Sequence, residues 1–333
     1  MQNDSLYNQF KSIAIGDENS NAFNVIPLSD SKHKLGVTIE GYPKFFVYTN
    51  DSATATANIV RELLSVEYNQ PCTIIEDNGN SQSNVFSIIT LRTTESPLQA
   101  YFIEIFSMML SNLPDTPSRR ELSVEVEKLI TIFSALRKKP TKEIQGVWAE
   151  LLVIEQSLNP DTLISAWHNQ PNAKYDFTMG GDKIEVKSTS SEVRKHHFSL
   201  DQVNPSLNSR LLIASVIVRE SAGCAGGLSV KSLYDKICSR VSSVDLRLKL
   251  YTTLATTIGN DYKNWDDIAF DYIEASDSLA FYNVDDVPRI LKTDVTEYVS
   301  EVKFCSDLTH LATIKDSSSD FDRSDSILFK SLF

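Results

Sequence analysis

Apolar and polar positions alternate along the first part of the chain, from about residue 23 to residue 91. Residues 37–39 and 45–48 flank the turn sequence GYPK, a pattern typical of a β-hairpin. Residues 72–75 and 85–91 are two further candidate strands, joined by the polar sequence EDNGNSQSN. The N-terminal region is therefore predicted to be rich in β-structure.

Apolar residues then recur at intervals of three and four, which indicates helices over 98–110 and 121–136. The sequence LPDTPS ends the first helix with two prolines, and the basic sequence RKKP at 137–140 follows the second. Residues 59–64 fit either a helix or a strand.

Helical and strand patterns alternate after Pro140. Helices are predicted over 141–158, 228–241 and 244–258. Strands are predicted over 174–179, 183–189, 211–218, 268–274 and 279–284. The run at 211–218 is almost continuously apolar, which is typical of a central strand covered on both faces.

This order of elements predicts an α/β (α+β) core in the second half of the chain. A chain of 333 residues is long enough for two domains. We expect a β-rich region over 1–115, a core over 116–315, and a polar tail rich in Ser and Asp over 316–333.

The composition is that of an ordinary globular protein, with 41% hydrophobic and 23% charged residues. No apolar run reaches the roughly 18 residues that a membrane span needs, and the N-terminus lacks the pattern of a signal peptide. The four cysteines are far apart and form no CxxC pair. We therefore expect a reduced, cytoplasmic protein.

The net charge of −12 and the pI near 4.9 oppose binding to a polyanion at long range. Segregated charge, a divalent metal or a partner subunit that delivers the nucleic acid can overcome this repulsion. The charge therefore weakens the case for nucleic-acid binding without excluding it.

One predicted hairpin, in the sequence KYDFTMGGDKIEVKST, collects charged side chains on one face. If Gly180 and Gly181 form a two-residue turn, Asp176 lies directly opposite Glu185, with Cβ atoms about 5 Å apart. Lys187 lies on the same face under this register and under a slip of one position. The other, buried face is predicted to carry Tyr175, Phe177, Ile184 and Val186.

Two opposed carboxylates normally destabilise a strand pair, unless a cation lies between them. Oxygen ligands from Asp176 and Glu185 suit Mg²⁺, and Mn²⁺ is expected to replace it. Such an ion lowers the pKa of a bound water. Lys187 can orient that water and stabilise the negative charge that develops in the transition state of phosphodiester hydrolysis. The alternative is a solvent-facing edge hairpin with an exposed ion pair.

The helix over 141–158 offers a further carboxylate. Glu150 lies roughly 100° from the centre of the apolar stripe, where it can point into the site or into solvent. Glu155 lies nearer the middle of the stripe and would need a buried partner. Glu150 is therefore the candidate third metal ligand.

Basic and polar residues follow the hairpin. Arg194, Lys195, His196 and Gln202 are candidate contacts to DNA phosphates, although a solvated loop explains the same residues. The basic run 137–142 is either a DNA-backbone contact or a solvated helix junction. His168 is expected to be structural rather than catalytic.

The succession GxxxELLxxE, SAWHNQPNAKYDF, IEVKST and RKHHFSLDQV resembles the PD-(D/E)XK nuclease superfamily, and more narrowly a bacterial family of PD-(D/E)XK motif proteins found beside restriction and phage-defence genes. The resemblance covers about residues 25–310 and is most specific over 146–202. It implies a restriction-endonuclease-like core with a central mixed sheet flanked by helices. Tyr175 replaces the proline of the motif name.

The resemblance maps the two hairpin acids onto Asp176 and Glu185, the lysine onto Lys187, the helix glutamate onto Glu150, and the polar residue of the following helix onto Gln202. It implies a Mg²⁺-dependent DNA endonuclease of a restriction-like or anti-phage system, with partner proteins and a homodimer as further expectations. The alternatives are a non-catalytic scaffold subunit, which the net charge favours, and an acidic DNA mimic. The mimic fits poorly because 32 Lys and Arg are mixed with the acids.

Overall fold

The computed structural model describes residues 5–16, 21–29, 31–50, 57–168, 173–221, 226–314 and 324–332. The chain divides into two compact units, Met1–Ser134 and Ala135–Phe333. This division falls at the C-terminal end of a helix that the sequence pattern assigned to the core over 116–315.

The first unit is a β-rich region followed by helices. Its strands are β1 (Ala22–Pro27), β2 (Lys34–Val37), β3 (Pro43–Val47), β4 (Ile59–Val60), β5 (Leu64–Glu76) and β6 (Ser81–Leu91). Its helices are α1 (Leu6–Lys11), α2 (Ser96–Ser111) and α3 (Arg119–Ala135), the last of which ends at the boundary between the units.

Five strands of the first unit close into a ring, and β4 pairs with β5 outside it. The pairing order is β1-β2-β3-β6-β5-β4, and β1 also pairs with β5 in parallel. Adjacent side chains on β3 point to opposite faces: Phe46 joins a buried cluster with Val25 and Phe86, whereas the ring of Phe45 packs against Phe102 of α2. The predicted hairpin and the strands around 72–75 and 85–91 are confirmed.

The second unit is a mixed α/β structure. Its helices are α4 (Ile144–Gln156), α5 (Pro160–Ala166), α6 (Val230–Arg240), α7 (Val244–Ile258), α8 (Tyr272–Ser278) and α9 (Ile327–Lys330). Its strands are β7 (Phe177–Met179), β8 (Asp182–Thr189), β9 (Lys195–Ser199), β10 (Arg210–Ile217), β11 (Gly227–Ser229), β12 (Ala269–Asp271), β13 (Ala280–Asn283) and β14 (Lys303–Asp307). Short 3-10 helices cover Gly259–Asn264, Val284–Asp286 and Lys292–Asp294.

A four-stranded mixed sheet, in the order β13-β10-β8-β7, organises this unit. β10 runs parallel to β8 and antiparallel to β13, and its residues 211–216 are all buried. The predicted central strand is confirmed, because β10 has a paired strand on each side and its residues are buried. The mixed sheet with helices packed on it confirms the expected α/β (α+β) fold. α4 packs against β8, and α8 packs against β10.

The strands predicted over 268–274 and 279–284 are present in shorter form, but they do not pair with each other. Only β12 and β13 are strands there, they pair with β11 and β10 respectively, and α8 separates them. Asp271 starts α8, since its side chain accepts a hydrogen bond of 2.9 Å from the backbone N–H of Glu274. The spacing D-x-x-E is a helix-start signal that the strand pattern concealed.

The segment read as a basic loop after the hairpin is a strand. β9 pairs antiparallel with β14, with His196 opposite Ser306 and Phe198 opposite Phe304. The alternation of buried His196 and Phe198 with exposed neighbours is the strand signal in this segment.

The expected polar tail differs from the structure at its end. Residues 315–323 lie outside the described part of the chain, but α9 follows them and buries Leu328 and Phe329 completely. The carbonyl of Ser331 accepts a hydrogen bond of 2.8 Å from the backbone N–H of Leu158. Within the described residues, no helix combines the length and apolar character needed to cross a membrane.

Candidate active site

A pocket of about 440 Å³ opens beside α4, β8 and the residues that precede β7. Its lining includes most of the charged and polar residues that the sequence singled out. They are Glu150, Asp176, Glu185, Lys187 and Gln202, together with Lys142 and His168. Three carboxylates that are distant in sequence therefore share one pocket.

The hairpin has the predicted register. Phe177 is paired with Ile184 and Met179 with Asp182, which leaves Gly180 and Gly181 as the turn. Gly180 has a φ of +58°, a conformation that favours glycine. Gly181 is required for a different reason, because a Cβ there would lie 2.9 Å from the carbonyl oxygen of Asn208.

Asp176 lies immediately before β7 and is 4% exposed. Its Oδ2 accepts a hydrogen bond of 2.7 Å from the backbone N–H of Val186, which fixes the carboxylate against β8. Burial and the charge of Glu150 raise the pKa of Asp176, and Lys142 offsets them only in part. The negative charge of Asp176 is therefore only partly compensated, and a further cation in the pocket would stabilise it.

One predicted position in the hairpin is wrong. Tyr175 was expected beside Ile184, but it belongs to a buried cluster with Ile213 and Phe198. Ile213 is the cross-strand partner of Glu185, so its side chain is on the same face of the sheet as that of Glu185. Strict alternation fails because Tyr175 precedes the regular part of β7.

Glu150 is buried within α4, with 2% exposure. Its Oε2 accepts a hydrogen bond of 2.7 Å from Nε1 of Trp167 and lies 2.9 Å from Nε2 of His168. Burial opposes its ionisation, but the hydrogen bond with His168 and the charge of Lys142 outweigh it, so the pKa of Glu150 is lowered. Glu150 is held as a carboxylate.

Glu155, the rival on the same helix, lies elsewhere. Its Oε2 accepts a hydrogen bond of 2.9 Å from the Tyr272 hydroxyl, and its Oε1 lies 3.1 Å from the ammonium of Lys236. Glu155 thus has polar partners of its own, both of them half-buried, and it does not line the pocket. Of the two candidates, the structure brings Glu150 to the site.

Glu185 projects from β8 and is 4% exposed. Its Oε1 accepts a hydrogen bond of 2.7 Å from Nε2 of Gln202 and lies 2.7 Å from Nζ of Lys187. Burial and the nearby charge of Asp176 raise the pKa of Glu185 to about 8, against the opposing charge of Lys187. Lys187 also lies over the ring of Phe198, with 5.3 Å from Nζ to the ring centroid.

Lys142 is a site residue whose place the sequence did not reveal. It belongs to the run expected to contact the DNA backbone or to form a solvated junction, but its ammonium contacts Oε1 of Glu150 and Oδ1 of Asp176. Burial works against its charge, yet these two carboxylates prevail and raise the pKa of Lys142. The only sequence signal was its position just before α4.

His168, which was expected to be structural, also lines the pocket. Besides its contact with Glu150, its backbone N–H donates a hydrogen bond of 2.9 Å to the carbonyl of Asp176. Its φ is +40°, an unusual value for a residue other than glycine and one that clusters at functional sites. His168 therefore links the segment after α5 to both acidic residues.

A family model described as "Putative PD-(D/E)XK family member, (DUF4420)" matches residues 7–309. The chain belongs to this family. No curated protein and no solved structure matches it. Because the match includes both units, the PD-(D/E)XK assignment applies to nearly the whole described chain.

Members of the wider PD-(D/E)XK superfamily generally use divalent metals, and the pocket contains side chains that could bind such an ion. Among the described residues, one group of potential ligands has atoms that all lie within 4.8 Å of one another: Glu150, His168 and Asp176. This group fits a divalent cation, because it offers two carboxylate oxygens and the open pocket leaves room for water ligands. The ammonium of Lys142 already lies between the two carboxylates, which shows that a cation is accommodated there. Glu185 lies outside this group, although it lines the same pocket.

The predicted phosphate-binding rim is only partly at the pocket of this PD-(D/E)XK protein. His196 is buried and its Nε2 lies 2.8 Å from the Ser215 hydroxyl, while the guanidinium of Arg194 donates to the Ser215 carbonyl at 2.9 Å. His196 is therefore internal, which corrects its prediction as a phosphate contact, and the half-buried Arg194 is bound to Ser215 and does not line the pocket. Lys195 is exposed on β9, and Gln202 lines the pocket as a partner of Glu185.

Proposed function

We propose that this protein is a Mg²⁺-dependent endodeoxyribonuclease whose catalytic residues are Glu150, Asp176, Glu185 and Lys187. The observation that carries the proposal is the convergence of three buried carboxylates, from α4, the start of the hairpin and β8, on one pocket with Lys187. Buried like charges destabilise a fold unless cations compensate them. Membership of the PD-(D/E)XK family supports the same chemistry.

Glu150 and Asp176 would hold the metal, with Glu185 as the third carboxylate of the pocket. A bound Mg²⁺, or Mn²⁺ in its place, lowers the pKa of a coordinated water and stabilises negative charge on a phosphoryl oxygen. Trp167 and His168 keep the carboxylate of Glu150 directed at the pocket by binding its Oε2. The N–H of Val186 does the same for Asp176.

Lys187 and Gln202 complete the arrangement on the side of Glu185. Gln202 donates to Oε1 of Glu185, and its own side-chain carbonyl accepts a hydrogen bond of 3.0 Å from the backbone N–H of Ser199, so its orientation is defined. The ammonium of Lys187 reaches the pocket and carries the charge that a scissile phosphate and its attacking water require.

The acidic balance of the chain bears on how such an enzyme reaches DNA. A net charge of −12 gives poor association with DNA by long-range attraction. We therefore propose that partner proteins deliver the substrate, and that the protein acts within a bacterial restriction-like or anti-phage system. A homodimer would supply two sites for cutting both strands.

The test is a DNA cleavage assay with Mg²⁺, with and without partner proteins of the same gene cluster. Asp176→Asn, Glu185→Gln and Lys187→Met should each lower the cleavage rate by at least roughly 100-fold. Glu155→Gln is the matched control, since it changes a buried carboxylate of α4 outside the pocket and should keep the activity. Wild-type rates in all three site variants would refute the assignment.

Calorimetry distinguishes this enzyme from a scaffold subunit that only retains the fold. The enzyme should bind Mn²⁺, and Asp176→Asn should abolish the binding. A folded wild-type protein that binds no divalent ion and cuts no DNA with its partners would support the scaffold.

A further inference from the structure

The ammonium of Lys142 occupies the place where a metal would have to bind. It contacts one oxygen of each buried carboxylate, Oε1 of Glu150 and Oδ1 of Asp176. Both residues belong, with His168, to the group whose potential ligand atoms lie within 4.8 Å of one another. A divalent cation that reaches both carboxylates therefore meets Lys142 first.

The other oxygens of these carboxylates already bind the protein framework. Oε2 of Glu150 accepts from Trp167 and lies against His168, while Oδ2 of Asp176 accepts from the backbone N–H of Val186. The framework therefore orients each carboxylate so that its remaining oxygen faces Lys142. A metal that uses the framework-bound oxygens would have to break those hydrogen bonds.

Lys142 is placed so that it can leave. Its side chain is 33% exposed at the pocket, whereas those of Glu150 and Asp176 are 2% and 6% exposed. Its backbone lies two positions before the first residue of α4, and a flexible four-carbon stem carries its compact charge. The ammonium can move into solvent without moving the helix that carries Glu150.

We propose that Lys142 is a built-in competitor of the metal: it neutralises Glu150 and Asp176 in the metal-free protein and is displaced when a divalent cation binds. This proposal rests on the proposed function, because it concerns the same site. Lys142 thereby stabilises the metal-free fold and weakens metal binding, since the ion must replace a cation that is already paired. The displaced ammonium becomes available to a phosphate at the mouth of the pocket.

The experiment is a calorimetric titration of the full chain with Mn²⁺. Replacing Lys142 by a neutral residue, in Lys142→Met and Lys142→Gln, should tighten Mn²⁺ binding by about 10-fold or more, because the competitor is gone. Lys142→Arg keeps the charge and should bind Mn²⁺ no more tightly than wild type. Lys139→Met removes an exposed charge of the same basic run and should leave the affinity unchanged.

Thermal unfolding provides a second readout that does not depend on activity. In EDTA, both neutral variants should unfold at a lower temperature than wild type, because two buried carboxylates lose their counter-ion. Saturating Mn²⁺ should remove or reverse this difference, since ligand binding to the folded state raises its stability according to affinity.

Two results overturn the competition. If both neutral variants bind Mn²⁺ with wild-type or lower affinity, Lys142 does not compete with the metal, and only this inference fails. If neither wild type nor the variants bind Mn²⁺, the metal site of the proposed function fails as well. Asp176→Asn shows that the measured heat comes from this pocket, because it should abolish binding in the wild-type and Lys142→Met backgrounds.

Discussion

The indole N–H of Trp167 donates a hydrogen bond of 2.7 Å to Oε2 of Glu150. Both residues are fully or almost fully buried. The contact joins the residue that follows α5 to the carboxylate that α4 presents, so it fixes which oxygen of Glu150 faces the pocket. A buried carboxylate depends on such donors, since it has lost its water.

Trp167→Phe is expected to remove this donor while preserving most of the apolar volume. The free energy of unfolding, measured with urea, should fall by about 1–3 kcal/mol. Mn²⁺ affinity should fall as well, because Glu150 loses its orientation. Trp148→Phe is the control: it deletes a hydrogen bond of 2.9 Å to the Leu228 carbonyl and should lower stability without changing Mn²⁺ affinity. Equal Mn²⁺ affinity in the two variants would contradict the positioning role of Trp167.

Gln202→Ala is expected to release Glu185. The variant removes the 2.7 Å hydrogen bond to Oε1, and loss of such a supporting contact typically lowers metal affinity or activity by about 10- to 100-fold. Gln156→Ala makes the same chemical change on α4, where Gln156 binds Glu155 and Tyr272 outside the pocket. Cleavage and Mn²⁺ titration should therefore separate the two variants, and identical behaviour would count against the role of Gln202.

His196 is expected to make stability dependent on pH. Burial lowers its pKa to about 4 in the folded protein, against 6.5 for the ordinary residue. As the pH falls, the unfolded chain therefore binds a proton at this residue before the folded protein does. The free energy of unfolding is unaffected by His196 above pH 6.5 and decreases as the pH falls from 6.5 to 4. The loss is on the order of 3 kcal/mol.

Urea unfolding of wild type and His196→Asn between pH 4 and pH 7 measures this contribution. The variant should show a smaller decrease in stability at low pH, whereas His197→Asn, at the exposed neighbouring position of β9, should follow wild type. Parallel curves for His196→Asn and wild type would show that His196 does not titrate in this way.

Two glycines, Gly181 in the turn of the hairpin and Gly146 in α4, give predictions of opposite sign. Gly181→Ala should destabilise the protein by about 1–3 kcal/mol, because the added Cβ overlaps the Asn208 carbonyl oxygen. Gly146→Ala should stabilise it by up to about 1 kcal/mol, since Gly146 lies inside α4 with open space at its Cβ. Thermal unfolding of both variants checks the signs, and a stable Gly181→Ala protein would show that the turn tolerates a side chain.

The sequence by itself determined the elements with strong periodicity. The hairpin of β2 and β3, the strands β5 and β6, the long helices and the central strand β10 follow the apolar pattern, because a local period of two or 3.6 specifies which face is buried. The spacing left two registers of the hairpin open, and the structure has the one in which Gly180 and Gly181 form the turn. Both registers place Asp176, Glu185 and Lys187 on one face, and the three residues line one pocket.

Only the tertiary structure decided the remainder of the site. Lys142 meets Asp176 because α4 packs against β8, and no spacing along the chain encodes that approach. His196 was misjudged since its burial depends on β9 pairing with β14, which lies far away in the sequence. Helical periodicity already favoured Glu150 over Glu155, but only the tertiary structure supplies their partners, Trp167 for Glu150 and Tyr272 for Glu155.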